Sequence, residues 1–168
     1  MPLTVNGWTL LFHEMMLGQI GSLAEAFKRA HTADPAGFRS NANVRVLASV
    51  AKLTLQIIPQ DPGHTDYRIG NTMGADYRHW SRAKFGQRFR LFFRYDSVAR
   101  IIVFAWVNDE KTLRARGSKS DPYAVFKAML DRGNPPDAWK TLLAAAKDLP
   151  PELQGALQDA NAPGSTRR

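Results

Sequence analysis

The chain has 168 residues, 44% hydrophobic and 23% charged, a length and balance suited to one globular domain with a real core. It contains no cysteine, which excludes disulfides, thiolate metal sites and cysteine nucleophiles, and fits a reducing cytoplasm. The formal charge is +8, and the window Arg78 to Lys119 supplies all of it: eleven Lys/Arg stand against Asp96, Asp109 and Glu110, while the remainder balances. In chain order, the N-terminal MPLTVNGWTLLFHEMM lacks the basic flank and long apolar run of a signal peptide. No stretch approaches the ~18 apolar residues of a membrane span.

Residues 10–30 read as a helix, because Leu11, Met15, Leu23, Ala26 and Phe27 recur at helical spacing. Asp34-Pro35 supplies a cap and first-turn proline for a second helix over about 35–57, with Val44, Leu47, Val50, Ala51, Thr54, Leu55 and Ile58 as its stripe. The two are expected to pack as a helical hairpin. Prolines and glycines make 59–77 a loop. From His79 the period becomes two: Trp80, Arg82 and Lys84 share one strand face, and Gly86-Gln87 turns the chain. Arg88, Arg90, Phe92 and Arg94 then alternate with Phe89, Leu91, Phe93 and Tyr95, the pattern of a half-buried antiparallel strand with an arginine-lined open face. Residues 100–107 are apolar on both sides and predict a central strand. Asp121-Pro122 caps a helix to about Arg132, Asp137 to Lys147 forms another, and the chain beyond Pro150 is expected to be a polar, flexible tail. The expected class is therefore α+β, with residues 1–150 as a single domain and 151–168 as the tail.

Familiar catalytic patterns are absent. His13, His31, His64 and His79 show no HxH or HExxH spacing, and neither GxxxxGK[ST] nor GxGxxG occurs, so no metal or nucleotide cofactor is expected. Asp109 and Glu110 are adjacent and point apart, which suits turn capping or pairing with Arg114 better than paired-acid hydrolysis. His79 is a candidate general base by its ordinary pKa of ~6.5. A concentrated cationic sheet attracts polyanions through counterion release. RNA brings its own nucleophile, the 2′-hydroxyl, so arginines fixed around a phosphate can stabilise the phosphorane while a Tyr or Lys moves a proton, without metal or histidine. On charge alone, RNA binding and RNA cleavage both remain open.

Five ordered blocks carry a resemblance: VNGW at Val5–Trp8, HWSRAKFGQRFRLFFRY at His79–Tyr95, WVNDEKTLRARG at Trp106–Gly117, DPYAVFKAML at Asp121–Leu130 and RGNPPDAW at Arg132–Trp139. Together they resemble the YhaV-type toxins of type II toxin–antitoxin modules, in the RelE/ParE superfamily. The resemblance implies a RelE-like fold: N-terminal helices packed on a small twisted antiparallel sheet, with C-terminal helices. It implies ribosome-associated mRNA cleavage that stops translation, and a PrlF-type antitoxin with an AbrB-like domain as partner in a hetero-oligomer. By motif match, Arg90 in Phe89-Arg90-Leu91 and Arg114 or Arg116 after the last strand would stabilise phosphate. Arg82 and Lys84 would grip substrate or act as base, and Tyr123 would stack on a base or assist proton transfer. Arg88, Arg94, Arg116, Lys119 and Trp80 would bind RNA. The alternatives are a ParE-like toxin acting on a protein and a non-catalytic RNA-binding domain. An acidic antitoxin segment is expected to cover the strand that carries Arg88–Arg94.

Overall fold

Asn6 and Gly7 open the fold with left-handed backbone angles, φ 50° and 79°. An Asn-Gly pair of this kind closes a two-residue hairpin whose twist matches its strands. It joins β1 (Leu3–Val5) to β2 (Trp8–His13), with Val5 opposite Trp8. Arg100 clamps the turn: Nε and Nη2 donate to the carbonyls of Gly7 and Asn6, and the guanidinium stands 4.7 Å from the Trp8 ring centre. The computed structural model describes residues 2–162.

The helix expected from Leu10 begins later, as α1 (Glu14–Ala33), and residues 8–13 are strand. Trp8, Leu10 and Phe12 enter one core while Leu11 packs on another, so the segment is apolar on both sides and its period of two is hidden. His13 caps α1, its Nδ1 accepting the Met15 N–H at 3.1 Å. The second helix, α2 (Ala42–Lys52), likewise starts late. Its cap is Asn41, whose side chain accepts from the N–H groups of Asn43 and Val44, while Asp34 closes a turn through the Gly37 N–H. The helix widens into a π turn at Leu53–Ile57 and stops in a 3-10 turn at Ile58–Gln60.

Three strands follow the expected loop: β3 (Ser81–Phe85), β4 (Phe89–Asp96) and β5 (Ile101–Val107). The remaining elements are α3 (Pro122–Asp131), α4 (Trp139–Ala145), β6 (Ala146–Lys147) and α5 (Pro151–Asn161). The sheet order is β1-β2-β5-β4-β3, and β6 pairs with β2. The fold is α+β, but β2 and β5 run parallel, so the sheet is mixed rather than antiparallel. The long excursion through α1, α2 and the β3–β4 hairpin allows β5 to return alongside β2 in the same direction.

Both sheet faces are covered, which corrects the open arginine face. On one side α1, α2 and α5 bury Met16, Ile20, Leu47, Val50, Leu157 and Ala160 against Leu91, Phe93 and Phe104. On the other, α3 and α4 bury Phe126, Leu130 and Leu142 against Phe92, Val103 and Trp106. Phe92 stacks on Phe126 with ring centres 4.4 Å apart. A register shift opposite Phe92/Phe93 leaves Ala105 without a partner, so Ala105 and Trp106 both enter the second core. The alternation of Arg90, Phe92 and Arg94 along β4 survives, and that face lies under helices.

The flexible tail expected after Pro150 is corrected as well. Through Asn161 it is α5, which packs on α1 and α2, and Leu157 is fully buried. Residues 163–168 of that tail lie outside the described residues.

Truncating a fully buried leucine leaves a cavity, so Leu157→Ala should destabilise the chain by about 2–5 kcal/mol in urea unfolding. Unchanged stability would show that α5 is dispensable. Burial pushes the His13 pKa below its ordinary 6.5, Glu14 opposing and Lys147 reinforcing the shift. The unfolded chain then binds this proton more readily than the folded one. The stability owed to the neutral cap is therefore present above pH about 6.5 and declines as the pH falls below it. Urea midpoints should drop over that range, and His13→Asn, which caps without titrating, should flatten the slope.

Candidate active site

Asp121 assembles the site. As cap of α3 it accepts the Tyr123 N–H on Oδ2 at 3.1 Å. Its Oδ1 accepts the Ala115 N–H at 2.8 Å and pairs with Arg114 Nη1 at 2.7 Å. This carboxylate is 4% exposed, and it ties the loop after β5 to the start of α3. The proline at the first helical position then sets the direction in which Tyr123 leaves the loop. Tyr123 meets Phe92 edge-on, with ring centres 5.6 Å apart, and its hydroxyl arrives above β3 and β4.

Two arginines donate to that hydroxyl: Arg82 Nε at 2.6 Å and Arg90 Nε at 3.1 Å. The Arg114 guanidinium lies 4.7 Å from the Tyr123 ring centre. Arg90 is 7% exposed, and its Nη1 donates to the carbonyls of Gln87 and Phe89, both at 2.9 Å. Asn108 accepts the Arg90 N–H at 2.7 Å and donates to the carbonyls of Arg88 and Thr112, so it fixes the backbone beneath the cluster. Arg82 Nη1 reaches the carbonyls of Asp66 and Arg68 at 2.8 and 3.1 Å. Lys84 is paired with Arg90 in the β3–β4 register and is exposed.

Among the described residues, Nη2 of Arg82, Arg90 and Arg114 has no hydrogen-bond partner. Arg39 Nε is the one buried side-chain polar atom there without one, so these three donors reach solvent. A pocket of about 410 Å³ opens beside Arg114 and Tyr123, lined also by Thr72, Lys119 and Lys127 among others. Arg82 and Arg90 stand behind the Tyr123 hydroxyl and do not line the pocket. Four of the five residues singled out for chemistry thus gather at Tyr123, Arg82 and Arg90 on its hydroxyl and Arg114 over its ring. The fifth, Lys84, is exposed two residues along β3 from Arg82.

The expected RNA contacts divide. Arg88 is exposed, with Nε donating to the Arg114 carbonyl at 3.1 Å; Arg116 is exposed, and Lys119 lines the pocket. Arg94 and Trp80 lie elsewhere, beyond Phe92, beside Asp137 and Trp139. Trp80 is 1% exposed, and its Nε1 donates to Asp137 Oδ1 at 2.8 Å. It is a core residue with no face open to stack on a base, which corrects that expectation. His79 also bonds Asp137, Nε2 to Oδ1 at 2.6 Å, and stands apart from the Tyr123 cluster. Asp109 caps its own turn, Oδ1 accepting from the Lys111 N–H and Thr112 Oγ1 at 2.9 Å each, whereas Asp121 is the carboxylate that pairs with Arg114. Asn108 and this double use of Asp121 escaped the sequence reading, although the helix-cap motif was legible.

A phenol has one donor and two acceptor positions, so a hydroxyl receiving two arginine donors keeps its own proton for a third group. With cations around it, that group is best an anion. Among the described residues, no three His, Asp or Glu side chains stand together as a metal site. None of the described helices is long and apolar enough to cross a membrane.

The profile of the YhaV toxin family, described as a toxin with endonuclease activity of a toxin–antitoxin system, matches residues 10–147. The ribonuclease toxin YhaV of Escherichia coli K12 is 39% identical over 143 residues, covering 84% of this chain and 93% of the relative. Toxin YhaV of Escherichia coli O157:H7 gives the same identity and coverage, and that of Escherichia coli O6:H1 is 38% identical over 143 residues, 84% of this chain and 93% of its own. No solved structure matches the chain. The matched residues include most of the sheet and the whole Tyr123 cluster, and the chain belongs to the YhaV family of endonuclease toxins of toxin–antitoxin systems.

Proposed function

We propose that this toxin cuts mRNA, in association with the ribosome and without a metal ion, and that a PrlF-type antitoxin restrains it. The single observation that carries the reading is the Tyr123 hydroxyl held by Arg82 and Arg90 under the Arg114 guanidinium. The name of the Escherichia coli K12 relative, a ribonuclease toxin, supports RNA as the substrate. The likeness to RelE-type ribonucleases belongs to the same reading, which also places the protein in the cytoplasm.

In this mechanism the scissile phosphate enters the pocket lined by Tyr123 and Arg114 and is drawn toward Arg82 and Arg90, which hold the Tyr123 hydroxyl. The RNA 2′-hydroxyl gives its proton to a base and attacks phosphorus, and the P–O5′ bond breaks. Charge accumulates on the non-bridging oxygens in the transition state. Donors fixed beforehand by Gln87, Phe89, Asp66, Arg68 and Asp121 stabilise it without reorganising. Lys84 is the candidate base, exposed beside Arg90. Tyr123 gives its hydroxyl proton to the departing 5′-oxygen or to a phosphate oxygen. Arg88, Arg116 and Lys119 hold flanking backbone around the entrance.

Incubation of the purified toxin with mRNA in EDTA should give cleavage. Arg90→Ala should slow it by about 100–1000-fold. Tyr123→Phe keeps the ring that packs on Phe92, so it should stay folded by circular dichroism and lose at least about 100-fold in rate. Intact RNA with and without ribosomes would contradict the reading, and loss of cleavage in EDTA restored by magnesium would remove its metal-free part. Antitoxin association should be steered by Lys84, Arg88, Arg116 and Lys119, so its on-rate should fall steeply as salt is raised. A salt-insensitive rate would place the antitoxin elsewhere.

A further inference from the structure

A second basic pocket lies at the other end of β4. It has a volume of about 520 Å³ and is lined by Arg68, Arg78, His79, Arg94, Asp96 and Trp139 among others. Arg94 is its centre. The guanidinium sits between two indoles, 5.7 Å from the Trp80 ring centre and 5.4 Å from that of Trp139. Its Nη1 donates to the Asp137 carbonyl oxygen. Burial pushes its pKa below the usual arginine range.

No described carboxylate pairs directly with Arg94, although the Asp137 carboxylate stands near enough to offset part of the burial. Among the described residues Arg94, Arg68 and Arg78 form no ion pair. Both nearby acids are engaged: Asp137 takes His79 and Trp80 on Oδ1, and Asp96 Oδ1 accepts the N–H groups of Val98 and Ala99 in the turn after β4. A partly desolvated cation with no directly paired counter-ion is costly. The unpartnered Nε and Nη2 of Arg94 are not sealed in the core, since Arg39 Nε alone has that status among the described residues. They face a space that two further arginines also line.

We infer that this pocket binds a backbone phosphate of the same RNA, away from the scissile one, with an adjacent base against Trp139. The inference rests on the RNA reading of the Tyr123 cluster. Arg90 and Arg94 are four residues apart on one strand face, about 13 Å, which a short run of nucleotides spans. Arg82 lies between the pockets, its Nε on Tyr123 and its Nη1 on the Arg68 carbonyl, so segment 66–81 forms a wall common to both. Partly buried Trp139 offers the platform that fully buried Trp80 lacks.

The test uses non-cleavable 2′-O-methyl oligonucleotides of about six and about twelve nucleotides, followed by fluorescence anisotropy, a size range that separates one subsite from two. Arg68 and Arg78 are exposed, so the double variant Arg68→Ala/Arg78→Ala should fold normally. It should weaken binding of the longer probe by about tenfold and that of the shorter by less than about twofold, and Trp139→Ala should act in the same direction. On cleavable RNA the single variant Arg78→Ala, which leaves the support of Arg82 untouched, should raise KM with kcat nearly unchanged. Equal loss on both probes, or loss on neither, would overturn the inference. So would unchanged RNA affinity with weakened antitoxin binding, which would make the pocket a protein contact. Failure of the wild-type protein to cut RNA, with the length-dependent binding intact, would strike the cleavage reading and leave this pocket standing.

Discussion

Two guanidinium groups donate to one phenol oxygen, and a third lies over its ring. With Nε atoms 2.6 and 3.1 Å from that oxygen, Arg82 and Arg90 lie within about 6 Å of each other. At that separation two unit charges repel by about 3 kcal/mol at an effective dielectric of about 20. The described structure supplies a carboxylate for Arg114 alone. Arg82 and Arg90 are held instead by carbonyl dipoles, which orient a cation without cancelling it. A fold that maintains such an arrangement has built a place for an anion, and much of the rest of the molecule can be understood as its support.

That support comes from both sides of the sheet. α1, α2 and α5 press on one face and give β4 a rigid bed through Leu91 and Phe93. α3 and α4 close the other face around Phe92, which leaves Arg90 and Arg94 at opposite ends of a covered stretch. Asp121 then aims Tyr123 from the start of α3, and Asn108 anchors the end of β5 to the start of β4. Arg82, Arg90 and Tyr123 therefore stand on strands and a helix start, and Asp121 ties Arg114 to that helix start, the kind of preorganisation that best stabilises developing charge.

Much of this was legible in the sequence, and the failures have physical causes. The alternation of Arg88, Arg90 and Arg94 with apolar residues located β4, and Asp121-Pro122 located α3 and its cap. Motif matches single out Arg82, Arg90, Arg114 and Tyr123, and the structure brings these four together. The N-terminal strands were missed because Trp8 to Phe12 is apolar on both faces and conceals its period, although Asn6-Gly7 carried a plain hairpin signal. α5 was missed because its apolar residues are sparse, and burial against α1 and α2 provides what its own sequence does not. Strand alternation puts Trp80 on the face of Arg82 and Lys84 but says nothing of whether a helix covers that face, and Trp80 is buried.

The central claim is that the arginines act on the phosphate as one unit with Tyr123. The most direct measurement is a double-mutant cycle on single-turnover mRNA cleavage, comparing Arg90→Ala, Tyr123→Phe and the double variant. Groups that serve one transition state are strongly non-additive. The double variant should therefore cleave no more slowly than the poorer single variant, within about threefold. Losses that multiply across the two sites, or single variants that cleave at the normal rate, would contradict the account.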